Sequence, residues 1–167
     1  MSAFLLSQIL AGMTLVTGMA AFQLKERVQI LRGWCLAAVF AAAHFFVLGA
    51  NEAGMLITVT ALRFLVSSLT TDDRLMYLFL ALAVGGFVWT YESPVSFLAL
   101  AATFIGTIGS FHGSEKAVRF SLMATEILWC IHNLIVWSPV AVLMEVLFFS
   151  SNLIGLLRHR RANESAL

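Results

Sequence analysis

The sequence predicts an all-α integral membrane protein of seven transmembrane helices, built as two parallel three-helix repeats joined by a linker helix. Three observations predict it. Apolar residues make up 60% of the chain and charged residues 11%, whereas soluble domains run near a quarter charged. Apolar runs of about 17 residues or more, the length that crosses a bilayer, follow one another with short breaks from residue 4 to residue 157. Motifs of the first third also recur, in the same order, in the last third.

The first span covers 4–23. Its leading MSAFLLSQILAG has no basic n-region and no small-residue cleavage site, so it is expected to stay as a helix rather than leave as a signal peptide. Lys25, Arg27 and Arg32 follow. Spans two (33–50) and three (53–70) are joined by Asn51 and Glu52 alone, and Arg74 follows span three. Span four (75–91) is short, and span five (95–111) is followed by Lys116 and Arg119. Spans six (119–137) and seven (139–157) meet at Ser138-Pro139. Pro139 suits a helix start, where its missing N–H is one of the unpaired ones anyway. Arg158, Arg160 and Arg161 open a tail over 158–167. The whole is expected to be a single membrane domain, with repeats at 4–70 and 95–157 and the linker at 75–91.

Charge gives the orientation. The Lys and Arg outside the spans all lie after spans one, three, five and seven, and the other connections carry only Glu52 and Glu92. The positive-inside rule then puts the N-terminus outside, in the periplasm, and the C-terminus in the cytoplasm. Trp34, Trp89, Tyr91 and Trp137 stand near span ends, as interfacial aromatics do.

The repeat reads as follows. Thr17-Gly18 answers Thr107 and Gly109, and Phe22-Gln23 answers Phe111-His112. A basic loop follows in each copy, then a helix ending near a histidine, a short turn, and a helix with polar groups. Each copy has three spans and one span lies between them, so both copies share an orientation and the axis relating them runs along the membrane normal.

This layout resembles the SWEET and PQ-loop transporters, although neither copy has the proline of the Pro-Gln pair. The chain more closely resembles the YgjV-type bacterial inner membrane proteins. That resemblance rests on His44-Phe45-Phe46, Leu48-Gly49 and Arg63, then on Trp129, Ile131-His132-Asn133, Glu145, Asn152 and Leu157-Arg158. It implies a fold and an inner-membrane address, and no substrate.

Polar residues inside the spans are the candidate functional ones, because an ionisable group in hydrocarbon costs a few kcal/mol and usually faces a partner or a wet cavity. Glu126 and Asn133, seven apart, share a helix face, as do Glu145 and Asn152. Arg63 is the one basic residue within a span. It is expected to be buried and paired with Glu126 or Glu145, as an ion pair locking the repeats or as the polar floor of a solute site. His44 and His132 hold equivalent places near the ends of spans two and six, as packing histidines or as path residues. No third ligand stands at metal spacing, so no metal is expected. Gly12, Gly18, Gly106 and Gly109 let helices pack closely, or give the first span of each repeat a hinge. Gln8, Thr14, Thr103 and Thr107 would then be wall residues, unless their side chains bond back to their own helices.

Cys35 and Cys130 lie in apolar helices and read as free thiols. There is no phosphate loop, no nucleophile elbow and no soluble carboxylate pair, so neither an enzyme nor a cofactor is expected. A basic stripe for nucleic acid is also missing. The expected partners are the lipid bilayer and a small polar solute, with a homo-oligomer left open. Two functions remain: a SWEET-like facilitator or carrier of a small polar solute through a path between the repeats, or a non-transporting scaffold or subunit whose polar seam is structural or binds a partner helix.

Overall fold

The structure, a computed structural model, describes residues 2–164, and the backbone alone for Glu52 and for 161–164. Among the described residues there are seven helices and no strand: α1 (Ala3–Ala21), α2 (Arg27–Val47), α3 (Asn51–Leu69), α4 (Asp73–Thr90), α5 (Ser96–Phe111), α6 (Glu115–Ile135) and α7 (Pro139–Glu164). Side chains of Ser2, Asp72 and Ser114 accept from the first-turn amides of α1, α4 and α6, which explains where those helices begin.

Four of the helices, α1, α2, α4 and α7, are long and apolar enough to cross a membrane by length and composition. In α3 and α5 the apolar helix is shorter, at Ala53–Leu69 and Ser96–Phe111. α6 carries Glu115, Lys116, Arg119 and Glu126. Yet all seven expose large apolar side chains: Val16, Val39, Leu62, Val88, Ile108, Leu134 and Val140 are each at least 48% exposed. Soluble monomers rarely show contiguous apolar surface on this scale, whereas a lipid-facing surface requires it.

Several boundaries differ from the hydropathy reading, and Asn51 and Glu52 open α3 rather than joining it to α2, the connection being 48–50. α2 starts at Arg27 rather than 33 and α6 at Glu115 rather than 119, so the basic loops are largely the first turns of helices. The reason is that hydropathy marks where apolar side chains begin, while backbone pairing carries a helix outward into the interface. Trp34 is corrected accordingly. It lies two turns inside α2, edge-on to Phe22 at 5.1 Å and to Phe148 at 5.0 Å, in the core rather than at the interface. Trp89, Tyr91 and Trp137 are exposed, as anchors are. The expected tail 158–167 is helical as far as Glu164, and 165–167 lie outside the described residues.

α2 packs between α1 and α3, and α6 between α5 and α7. α4 leans on α5 and touches α3 lightly. The two triplets meet where α1 touches α7 and where α3 touches α5. Their shared core lies at the end where the basic residues are, from Phe22, Ile30, Leu31 and Phe64 on one side and Val118, Leu122 and Phe148 on the other.

The turns α2–α3 and α6–α7 have the same hydrogen bonds at positions 88 apart. Leu48 donates to the His44 carbonyl as Val136 does to His132, Gly49 to Phe46 as Trp137 to Leu134, and Ala50 to Phe45 as Ser138 to Asn133. In both, the residue after the helix is left-handed, with φ of 76° at Gly49 and 56° at Trp137. This is the glycine-type helix terminator, built once with glycine and once with tryptophan.

Candidate functional site

A cavity of about 590 Å³ lies between α3, α4, α5 and the last turns of α6. It exists because α4 stands away from α3. Most of its wall is apolar. The polar groups on the three long walls are threonines that satisfy themselves: Thr60, Thr103 and Thr107 donate to their own helices at 3.2, 2.8 and 2.7 Å. The rim carries Trp89, Thr90, Glu92 and Ser96, at the end of α4 and the start of α5. Trp129 and His132 face it from α6, where the His132 ring stands edge-on to Trp129 at 5.1 Å.

Arg63 and Thr107 form the deep end, where α3 crosses α5. Arg63 is 7% exposed. Its Nη1 donates to Thr107 Oγ1 at 2.8 Å and to the Thr103 carbonyl at 3.3 Å, and its guanidinium lies 4.6 Å from the Phe64 ring centre. Nε has no partner. The expected ion pair is therefore corrected: neither Glu126 nor Glu145 reaches Arg63, whereas Arg119 does pair with a carboxylate, that of Glu115. The physical reason is direction. Arg63 points from α3 to α5, while Glu126 lies on α6 beside the α7 carboxylate Glu145, its electrostatic neighbour. Both oxygens of Glu126 are buried without a partner.

The other polar residues fall outside the cavity. His44 Nδ1 lies 2.8 Å from the Ser7 carbonyl, tying α2 to α1. Asn133 is buried, with its side-chain oxygen 3.3 Å from His132 Nδ1. Asn152 is fully buried and donates to the Arg119 carbonyl at 3.0 Å. Thr14 bonds back to Leu10 and Gln8 to Ser7, and neither lines this cavity. Gly18, Gly106 and Gly109 are closely approached by Phe148, by Arg63 and Thr125, and by Ser121, while Gly12 is open. Cys35 and Cys130 are free and half-buried.

Sequence reasoning missed what closes the other end. Arg119, read there as a loop cation, is fully buried and donates to the Phe22 carbonyl at 2.9 Å and to the Leu24 carbonyl, at the end of α1. Arg27 does the same for α5, donating to the Ser110 and His112 carbonyls at 2.7 Å and to Ser67. Phe22 and Ser110, and Leu24 and His112, are again 88 positions apart. So are Met19 and Thr107, held by Ser151 and Arg63, themselves 88 apart. Each half thus grips the carbonyl end of the other half's first helix, a place where cations are favoured. A signal was available: Arg119, Glu126 and Asn133 lie at seven-residue steps on one face of α6.

The family model described as bacterial inner membrane protein, Imp-YgjV, matches residues 5–163. The inner membrane protein YgjV of Escherichia coli (strain K12) is 23% identical over 100% of this chain and 91% of that protein. No solved structure matches. The chain belongs to the Imp-YgjV family of bacterial inner membrane proteins.

Proposed function

We propose that this bacterial inner membrane protein is a facilitator or carrier of a small solute, which moves through the cavity between two parallel three-helix repeats. α1–α3 form one repeat, α5–α7 the other, and α4 is the linker; the N-terminus is periplasmic. The observation that carries the reading is the cavity itself, with Trp89, Glu92 and Ser96 at its rim and Arg63, Phe79 and Thr107 among its deeper lining. A buried polar group at depth beneath a largely apolar wall is what a site for a small solute needs. The contacts repeated at 88 positions support the symmetry that rocking one repeat against the other needs. No catalytic step belongs to this reading.

A second reading has an observation of its own. Arg119 and Ser151 are spent on fastening the halves together, with Asn152 bracing Arg119, as in a scaffold through which nothing passes. One experiment separates the two. Cys35 and Cys130 are replaced, a cysteine is placed at Thr103 on the cavity wall, and a membrane-impermeant thiol reagent is applied to right-side-out and to inside-out vesicles. A carrier is labelled from both sides. Labelling from one side alone sinks the carrier and leaves the scaffold.

A further inference from the structure

We infer that the cavity takes an organic monoanion, a carboxylate on an apolar body, with the carboxylate held by Arg63. Three observations converge on that chemistry. The wall is mostly aliphatic and aromatic, and its threonine hydroxyls at 60, 103 and 107 are spent on their own helices, so it offers a sugar or a zwitterion few groups to bind. Its deep end holds a guanidinium that is 7% exposed and that no carboxylate reaches. Both hydrogen bonds of that guanidinium leave from Nη1, which leaves Nε without a partner and Nη2 without a hydrogen bond. A planar guanidinium with two spare donors suits a carboxylate, which takes two parallel hydrogen bonds. Phe64 covers one face of the group, so an anion meets it edge-on.

A cation so placed is costly unless an anion joins it, and the ligand is that anion. Glu92, the acidic residue on the wall, stands at the opposite, open end. It disfavours an anion resting at the rim and leaves Arg63 as the place where one settles. The cavity volume, about 590 Å³, falls in the range of ordinary small-molecule sites and accepts a medium-chain acid.

The inference rests on the carrier reading for what the cavity is for. Its test measures binding alone, so lost binding and lost two-sided labelling are separate failures. The protein is placed in phosphatidylcholine nanodiscs, and octanoate, octanol and octylamine are titrated against the fluorescence of Trp89 and Trp129 and against thermal unfolding. Octanoate is expected to bind saturably and at least tenfold more tightly than octanol, with octylamine not binding. Arg63→Gln should abolish that preference and Arg63→Lys should keep part of it. Ala83→Trp, which fills the cavity from α4 and leaves Arg63 intact, should also lose octanoate, and it stands in if Arg63→Gln does not fold. Equal binding of octanol and octanoate overturns the inference, as does an undiminished octanoate affinity in both Arg63→Gln and Ala83→Trp. Loss of octanoate binding in discs containing phosphatidylglycerol overturns it in favour of a lipid headgroup.

Discussion

Glu126 is 4% exposed and neither of its oxygens has a hydrogen-bond partner. Burying an unpartnered polar group costs about 1–3 kcal/mol. Replacing it with an apolar group of similar shape is therefore expected to help the fold. Glu126→Leu should raise the melting temperature in detergent or leave it unchanged, and a fall of several degrees would mean that the carboxylate has a partner. Because Arg63 binds Thr107 rather than a carboxylate, the stability effects of Arg63→Leu and Glu126→Leu, whatever their sign, should add, as they do for sites that share no contact. A double-mutant cycle that departs from additivity by more than about 0.5 kcal/mol contradicts that independence. Arg119 is the opposite case. Arg119→Gln strands the buried carbonyl of Phe22, at about 1–3 kcal/mol, and also gives up the hydrogen bond to the Leu24 carbonyl, which lies on an exposed residue. Arg27→Gln should cost less, because Arg27 is only half-buried and water can replace it. Thermal unfolding of the two variants checks the order.

At the scale of the helix, the left-handed residues Gly49 and Trp137 carry opposite expectations. A side chain in that conformation costs roughly 1–2 kcal/mol. Gly49→Ala should lower stability by about that much, since its backbone has φ 76°. Trp137→Gly should relieve strain at φ 56°, while giving up a ring that is 88% exposed and able to anchor in the interface. Comparing the two variants in detergent, where no bilayer interface exists, isolates the backbone effect; an equal loss in both would refute it. The existence of all seven helices was legible from apolar runs, and the turn at Ser138-Pro139 from its proline. The starts of α2 and α6 were not. Arg27 and Arg119 look solvated in a hydropathy window, and only the carbonyl ends they grip, 83 and 95 residues away in sequence, explain their burial. Gly155 was illegible for the same reason: a Cβ there would run into the Phe22 carbonyl of α1.

For the whole molecule, the number of crossings decides what the cavity can be. Four helices meet the length and composition of a span outright. If only those crossed, the α3–α4 connection would stay on the same side as the α2–α3 turn, and the C-terminal Arg158 and Arg160 would lie outside, against the positive-inside rule. Seven crossings put every basic cluster on one side. They also give lipid to the apolar side chains exposed on α3, α5 and α6, such as Leu62, Phe97 and Leu134. Length is no obstacle. The 19 residues of α3 span roughly 28 Å at 1.5 Å per residue, and a shortfall of a few ångströms is taken up by local thinning of the bilayer. Single cysteines at Asn51, Thr71, Glu92 and Gly113, in a chain without Cys35 and Cys130, separate the alternatives. All four positions are exposed, and a side chain at Gly113 meets nothing within 4 Å. With seven crossings, an impermeant thiol reagent added to intact spheroplasts labels positions 51 and 92 and spares 71 and 113 until the membrane is opened. With four crossings, 51 and 71 behave alike and so do 92 and 113. That outcome would remove α3 and α5 from the bilayer, put the Arg63 cavity in water, and take the carrier reading with it.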